Sequence, residues 1–203
     1  MTAAARFLAL GDSYTIGEGV AEGQRWPVQL ATALRGRGIS LAEPEIIATD
    51  GWTTDELAAA IDTAHPQSPY GLVSLLIGVN NQYRGQPVEE YREQFRALLG
   101  RAVSFARGEP GRVLVLSIPD WGVTPFAEDR DRGRIAAEID AFNTVNRDEV
   151  QRNGARYVDV TAVSRRTGRD PALVAGDGLH PSGTMYSAWA EMALPEALAA
   201  LES

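Results

Sequence analysis

Short apolar runs recur along the chain and are separated by segments in which the apolar residues have the spacing of a helix. The runs lie at 7–10, 43–48, 72–77, 113–118 and 157–160. Strands that are buried on both faces have consecutive apolar residues, whereas strands with one face in solvent alternate apolar and polar residues. The pattern therefore predicts five strands at the centre of the fold.

The segments between these runs predict amphipathic helices. The candidates are 26–34, a segment that starts at Thr53, a segment from Pro87 to Gly108, 131–152, and a final segment after Ser182. Pro195 lies inside the final segment and is expected to break or kink it. Strands that alternate with helices form a parallel sheet with helices on both faces and right-handed crossovers. The sequence thus predicts an α/β fold in a single domain over residues 1–203.

Composition narrows the class of partner. The chain has 27 acidic and 19 basic residues, a net charge of −8, and no Cys. Such an acidic chain is poorly suited to nucleic acid or an anionic membrane surface, and without Cys it has no thiolate nucleophile. The first apolar run is too short for a signal peptide, and no stretch approaches the roughly 20 apolar residues of a membrane span. We therefore expect a cytoplasmic protein with a small-molecule ligand.

The first predicted strand ends abruptly in Gly11-Asp12-Ser13. A glycine lets the backbone turn sharply, and open α/β sheets bind their ligands just beyond the carboxyl ends of the strands. Ser13 is therefore a candidate nucleophile. A serine hydroxyl is a weak nucleophile unless a general base accepts its proton and a third group orients that base.

A candidate base and its orienting group lie near the other end of the chain, in Asp177-Gly178-Leu179-His180. His180 is one of only two histidines in the sequence. An Asp and a His three residues apart on a tight turn can form a hydrogen bond, which fixes the imidazole tautomer and stabilises the imidazolium. The order Ser, Asp, His is compatible with a catalytic triad, because triads are defined by geometry and not by sequence order.

Two further strand ends carry residues that can donate hydrogen bonds to a developing negative charge. Gly51 lies between the second predicted strand and the helix that starts at Thr53, so no side chain hinders its N–H group. Asn80 follows the third strand in Gly78-Val79-Asn80, and its side-chain amide can donate. These are candidate oxyanion-hole residues, together with the N–H group of Ser13.

In their order and at their strand-end positions, Ser13, Gly51, Asn80 and His180 resemble the four diagnostic residues of the SGNH (GDSL-type) hydrolases. The resemblance extends from residue 11 to residue 181. It implies a flavodoxin-like strand order, a triad of Ser13, Asp177 and His180, and an oxyanion hole of Ser13, Gly51 and Asn80. In one respect the chain departs from the family, which usually has Asp where this chain has Asn81. Asn81 can still accept a hydrogen bond through its carbonyl.

Each motif also has a structural interpretation when it is taken alone. The Gly-Asp-Ser segment is compatible with an ordinary tight turn, the Asp-His pair with a surface hydrogen bond, and Asn80-Asn81 with a common turn. Asp12 is expected to shape the turn, and His65, before a proline in a polar loop, is expected to be exposed.

Candidate ligand sites beyond these motifs are few. Trp52 and Trp121 follow strand ends and are candidates for the wall of a substrate pocket, although packing explains them equally well. We expect no metal site, because the acidic residues near the strand ends belong to separate loops, and the proposed chemistry needs no cofactor. There is no Gly-x-Ser-x-Gly elbow, which disfavours the α/β-hydrolase fold.

The motifs together predict a serine ester hydrolase that acts through an acyl-Ser13 intermediate. We expect small esters with a short acyl group, because the chain has no long insertion that would form a lid and no extended apolar loop. The family resemblance leaves open a lysophospholipase, a thioesterase or a carbohydrate O-deacetylase. A non-enzymatic flavodoxin-like binding module is a further alternative, although Asp12 and Glu18 beside the loop would repel a phosphate ligand.

Overall fold

A parallel β-sheet forms the centre of the computed structural model, which describes residues 4–202. Within these residues it has five strands, and their order across the sheet is β2-β1-β3-β4-β5. Their bounds are β1 Phe7–Gly11, β2 Glu45–Ala48, β3 Leu72–Leu76, β4 Val113–Leu116 and β5 Arg156–Val158. All four pairings are parallel. The predicted α/β class, strand number and flavodoxin-like order are confirmed.

Helices cover both faces of the sheet. The bounds are α1 Ser13–Ile16, α2 Trp26–Gly36, α3 Thr54–Ala64, α4 Val79–Tyr83, α5 Val88–Phe105, α6 Arg132–Asn153, α7 Thr161–Ser164 and α8 Gly183–Glu202. One layer contains α2 and α8, which pack against each other, with α8 also contacting β3, β4 and β5. The other contains α3, α5 and α6, which pack side by side. This distribution follows from right-handed crossovers. The chain moves across the sheet in one direction from β1 to β2 and in the opposite direction from β2 to β3, β4 and β5, so the connecting helices lie on opposite faces.

The core lies on both sides of the central strands. Every residue of β1, β3 and β4 is buried, which explains why these strands have consecutive apolar residues. Trp26 on α2 and Trp189 on α8 are the largest fully buried side chains and fill the layer between those helices and the sheet.

The predicted end of β3 is one residue too long, and three other predicted strand bounds are too long by two residues. β2 begins at Glu45 and not at 43, because Pro44 has no N–H group to donate to a neighbouring strand. β4 ends at Leu116 and not at 118, because the Ile118 backbone bonds instead to the side chain of Asn143, at 2.7 and 2.9 Å. β5 ends at Val158, and the N–H group of Val160 donates to Ser117 Oγ at 2.8 Å.

The sequence predicts a break or a kink at Pro195, and the break is wrong. Pro195 lies inside α8, which continues to Glu202. A proline removes one backbone hydrogen bond and disfavours a helix interior. Here the helix is held by buried residues on both sides of the proline, among them Trp189, Ala193 and Ala197.

Gly78, directly before α4, has a conformation that only glycine adopts without strain. Its φ is 125°, and a Cβ atom at this position would lie 2.6 Å from the hydroxyl oxygen of Tyr91. Tyr91 is fully buried and cannot move aside, because its hydroxyl contacts Ile77 O at 3.0 Å and Asn146 Oδ1 at 2.6 Å. The close approach of α5 to the β3–α4 turn therefore requires a glycine.

We expect Gly78→Ala to lower the free energy of unfolding by about 2–4 kcal/mol, through backbone strain together with the clash against Tyr91. Gly85→Ala is the matched control. Gly85 also has a positive φ, 72°, but a Cβ atom there would meet nothing within 4 Å. Gly85→Ala should lower the free energy of unfolding by about 1 kcal/mol, through backbone strain alone. Urea unfolding measures both values, and equal losses would show that the contact with Tyr91 does not constrain the turn.

Candidate active site

The nucleophile candidate lies at the start of a very short helix beyond β1. Ser13 is the first residue of α1 and is buried. Asp12 caps this helix, because its Oδ1 accepts a hydrogen bond from the Tyr14 N–H group at 3.1 Å. The helix ends after one turn at Gly17, whose φ is 73°. Asp12 thus has the structural role in the turn that the sequence predicts.

Asp177 and His180 form a direct hydrogen bond. Asp177 Oδ2 lies 2.7 Å from His180 Nδ1, and Asp177 Oδ1 accepts from the N–H groups of Leu179 and His180, both at 2.9 Å. Burial raises the pKa of the Asp177 carboxyl, but the hydrogen bonds from Leu179 and His180 outweigh burial and leave it below its usual value. The carboxylate is therefore ionised and fixed in place, and it sets the orientation of the imidazole ring.

Ser13, Asn80 and His180 come together around one cavity of about 170 Å³. The other residues that line it are Tyr14, Asp50, Val79, Tyr83, Trp121, Phe126 and Leu179. Asp177 lies behind His180. Of the two tryptophans predicted to line a substrate pocket, Trp121 lines this cavity. Trp52 lines a separate groove between β2 and α3.

The candidate oxyanion donors lie on neighbouring loops. Within residues 4–202, the N–H groups of Ser13 and Gly51 donate no hydrogen bond and are thus free for a ligand. Asn80 Nδ2 donates one hydrogen bond to Trp52 O at 2.9 Å, and its amide has a second hydrogen to donate. Gly51 has a φ of 80°, and Arg84 Nη2 donates to its carbonyl at 2.7 Å. Gly51 borders the site but is not among the residues that line the cavity.

Asn81, where the chain departs from the family, links two of these loops. Its Oδ1 accepts from the Thr54 N–H group at 3.2 Å, as expected for a residue that replaces an aspartate. Its Nδ2 donates to Thr54 Oγ1 at 2.7 Å and also to Gln86 Oε1. An aspartate could not make the two contacts in which Asn81 is the donor, because a carboxylate only accepts hydrogen bonds.

An aromatic wall, of which the sequence predicted only Trp121, lines the cavity that contains Ser13 and His180. Tyr83, Trp121 and Phe126 are in mutual contact, with ring centroids 5.4 to 6.5 Å apart. Tyr83 and Phe126 are 47% and 43% exposed, although large aromatic side chains are normally buried. Tyr83 comes shortly after the end of β3, and Phe126 comes shortly after the end of β4. This position after a strand end is the sequence signal that could have indicated both residues. His65 is exposed, as predicted, and does not line the cavity.

The described part of the chain has neither a metal-binding cluster nor a membrane-spanning helix. No group of three or more His, Asp or Glu side chains there is arranged to hold a metal ion. No helix within residues 4–202 combines the length and the apolar character needed to cross a bilayer.

Comparison with known proteins identifies the family. Residues 9–188 match the sequence model of the GDSL-like Lipase/Acylhydrolase family. The chain belongs to this family. It is therefore a carboxylic ester hydrolase, and the prediction of the SGNH (GDSL-type) family is confirmed.

Solved structures with the same fold include several hydrolases. TesA is 20% identical, with a TM-score of 0.74 over 94% of this chain and 97% of its own. LAE5, an α/β hydrolase enzyme from the metagenome of Lake Arreo in Spain, is 23% identical, with a TM-score of 0.71 over 100% and 99%. Axe2, an acetylxylan esterase from Geobacillus stearothermophilus, is 18% identical, with a TM-score of 0.72 over 96% and 94%. A search of curated protein sequences finds no match. At these identities the similarity shows the fold alone.

Asp12 provides a test of the electrostatics around Ser13. Its carboxyl is fully buried, and burial raises its pKa to about 8, although the Tyr14 N–H group opposes the shift. Its Oδ2 has no hydrogen-bond partner within the described residues. A group whose pKa is higher in the folded than in the unfolded state loses stabilising free energy as the pH rises.

We expect Asp12→Asn to remove this part of the pH dependence while keeping an acceptor for the Tyr14 N–H group. Between about pH 5 and pH 8, the free energy of unfolding of the wild type should fall relative to that of the variant, by up to about 1.4 kcal/mol per pH unit. Urea unfolding at several pH values measures the difference, in which the other titrating groups cancel. Parallel curves for the two proteins would contradict a neutral Asp12 in the folded state.

Proposed function

We propose that the chain hydrolyses small esters with a short acyl group through an acyl-Ser13 intermediate. The observation that carries the proposal is the hydrogen bond of 2.7 Å between Asp177 Oδ2 and His180 Nδ1, in a cavity that His180 shares with Ser13. An imidazole held by a carboxylate beside a serine is the arrangement that activates a hydroxyl nucleophile. We further propose that one catalytic domain spans residues 1–203.

In the first half of the reaction, Ser13 Oγ attacks the carbonyl carbon and His180 Nε2 accepts the hydroxyl proton. Asp177 stabilises the imidazolium that results. The tetrahedral intermediate collapses when the bond to the alkoxy oxygen breaks, and His180 returns the proton to the departing alcohol. In the second half, His180 takes a proton from water, which attacks the acyl carbon. The bond from that carbon to Ser13 Oγ then breaks, and His180 returns the proton to Ser13 Oγ as the acid leaves.

The negative charge on the tetrahedral intermediate needs donors that are already in place. We propose the N–H groups of Ser13 and Gly51 and the side-chain amide of Asn80. The unused hydrogens of all three groups support this role, and the bond from Asn80 to Trp52 O holds the amide still. Removing one oxyanion donor typically lowers the rate by about 10²–10³-fold.

The size of the cavity supports a short acyl group. An apolar cavity of about 150 Å³ accommodates a benzene molecule, and the cavity beside Ser13 has about 170 Å³. The aromatic wall of Tyr83, Trp121 and Phe126 limits it on one side. A lysophospholipase or long-chain thioesterase would need more apolar volume than this. Membership of a hydrolase family argues against a flavodoxin-like module that only binds a ligand.

Carbohydrate O-deacetylation is the second candidate. Axe2, which shares the fold, is named as an acetylxylan esterase. The specific observation in this chain is a polar cavity on the far side of the aromatic wall, lined by charged residues. An acetyl group is also the shortest common acyl group, so this candidate is compatible with the proposed preference.

We expect Ser13→Ala to lower kcat/KM for p-nitrophenyl acetate by about 10³-fold or more, because the nucleophile is removed. Ser104→Ala is the control, since Ser104 is exposed on α5 and its hydroxyl donates to Gly100 O within the same helix. Spectrophotometric assay of the three proteins, prepared identically, decides the outcome. Equal activity in wild type and Ser13→Ala would refute Ser13 as the nucleophile.

The same assay with p-nitrophenyl acetate, butyrate, octanoate and palmitate tests the acyl group. We expect kcat/KM to be highest for the acetate or butyrate ester and to fall for the esters with longer acyl chains. A maximum at octanoate or palmitate would overturn the short-acyl proposal and favour the lysophospholipase or thioesterase.

A further inference from the structure

A second cavity adjoins the one that contains Ser13. It has a volume of about 210 Å³, and Tyr83 and Trp121 line both cavities. The two cavities differ in chemistry. Apart from the catalytic groups and Asp50, the first is lined mainly by aromatic and aliphatic side chains, whereas the second is lined by charged and amide side chains, including Arg130 and Asp131.

The wall between the cavities is held by a chain of hydrogen bonds. Trp121 Nε1 donates to Gln82 Oε1 at 2.8 Å, and Gln82 Nε2 donates to Glu138 Oε2 at 2.7 Å. Arg134 Nε then donates to Glu138 Oε1 at 2.6 Å. The indole ring of Trp121 is thus fixed from the side of the second cavity. The side chains of Gln82 and Glu138 already have hydrogen-bond partners within the protein.

Arg130 and Asp131 retain hydrogen-bonding capacity in this cavity. Arg130 forms no ion pair within residues 4–202, and its guanidinium lies 5.9 Å from the ring centroids of both Tyr83 and Phe126. Its Nη2 is 3.5 Å from the Tyr83 hydroxyl. Asp131 Oδ1 accepts from the Arg134 N–H group at 2.9 Å, which leaves Oδ2 available. Unused donors and an unused acceptor therefore lie beside the exposed ring of Tyr83.

The balance of charges restricts the ligand class. Two arginines and two carboxylates line the second cavity. A simple anion would be repelled by the carboxylates and a simple cation by the arginines, so neither is favoured as a ligand. An alkyl chain would remove water from these charged groups without replacing its hydrogen bonds, which is costly. Hydroxyl groups both donate and accept, so a polyhydroxylated ligand suits this mixture. The volume exceeds the roughly 150 Å³ that accommodates one benzene ring, so a substituted six-membered ring fits.

We propose that the second cavity binds the alcohol part of the ester, that this part is a polyhydroxylated ring such as a sugar, and that Arg130 is its specificity-determining residue. The inference rests on the proposed ester hydrolysis at Ser13. The acyl group would occupy the first cavity and the alcohol part would cross the edge of Tyr83 and Trp121 into the second.

The test compares an acetylated methyl xyloside with p-nitrophenyl acetate, which delivers the same acyl group from an alcohol without aliphatic hydroxyls. For Arg130→Ala we expect kcat/KM for the sugar acetate to fall about tenfold, through loss of charged hydrogen bonds. The value for p-nitrophenyl acetate should change less than twofold. Arg37→Ala is the matched control, because Arg37 is also exposed and has no ion pair within the described residues, but lies at the end of α2. For Arg37→Ala, kcat/KM should stay unchanged for both substrates.

A binding measurement separates this inference from the proposed function. Calorimetric titration of the acetylated methyl xyloside into Ser13→Ala, and into the double variant with Arg130→Ala, needs no turnover. Weaker binding in the double variant supports the second cavity as the sugar site. Equal binding in both, no binding in either, or parallel losses on both substrates would overturn it. Equal hydrolysis of p-nitrophenyl acetate by the wild type and Ser13→Ala would instead refute the proposed function.

Discussion

The parallel pairing of β1 with both of its neighbours is the constraint on which the site depends. Gly11, the last residue of β1, is level with Ala48 at the end of β2 and with Leu76 at the end of β3. The loops that carry Ser13, Gly51 and Asn80 therefore start side by side at one edge of the sheet. Gly11 itself must be a glycine, since a Cβ atom there would collide with Thr15 and with the carbonyl of Leu76. The turn into α1 can consequently stay close to β3.

Polar side chains then hold these loops together across the edge. Asn80 bonds to the carbonyl of Trp52, Asn81 to Thr54, and Arg84 to the carbonyl of Gly51. All three belong to α4 or directly follow it, so one short helix positions the loop after β2. The pair of Asp177 and His180 comes from the opposite end of the chain and is fixed by its own turn. The arrangement thus needs no ligand to bring the candidate groups together.

The sequence was sufficient to predict the five strands and the residues that meet at the sheet edge, because apolar runs and strand-end motifs are local signals. The strand order was expected from the resemblance to the SGNH (GDSL-type) hydrolases. The wall of Tyr83 and Phe126 was not predicted, since its position depends on how α4 and the loop after β4 pack together. Trp52 follows a strand end as Trp121 does, yet it lines another groove, because its side chain packs beside the edge strand β2. Strand ends were misjudged where side chains such as Asn143 replace the backbone as partners.

Reaction with paraoxon shows whether His180 activates Ser13 as a nucleophile, because this phosphotriester transfers a diethylphosphoryl group to an activated serine. Wild type and His180→Ala would be incubated with it, and the modified residue located by peptide mass spectrometry. We expect a single diethylphosphoryl group on Ser13 in the wild type and labelling that is slower by orders of magnitude in the variant. Modification of another residue, or labelling of Ser13 at the same rate without His180, would contradict it.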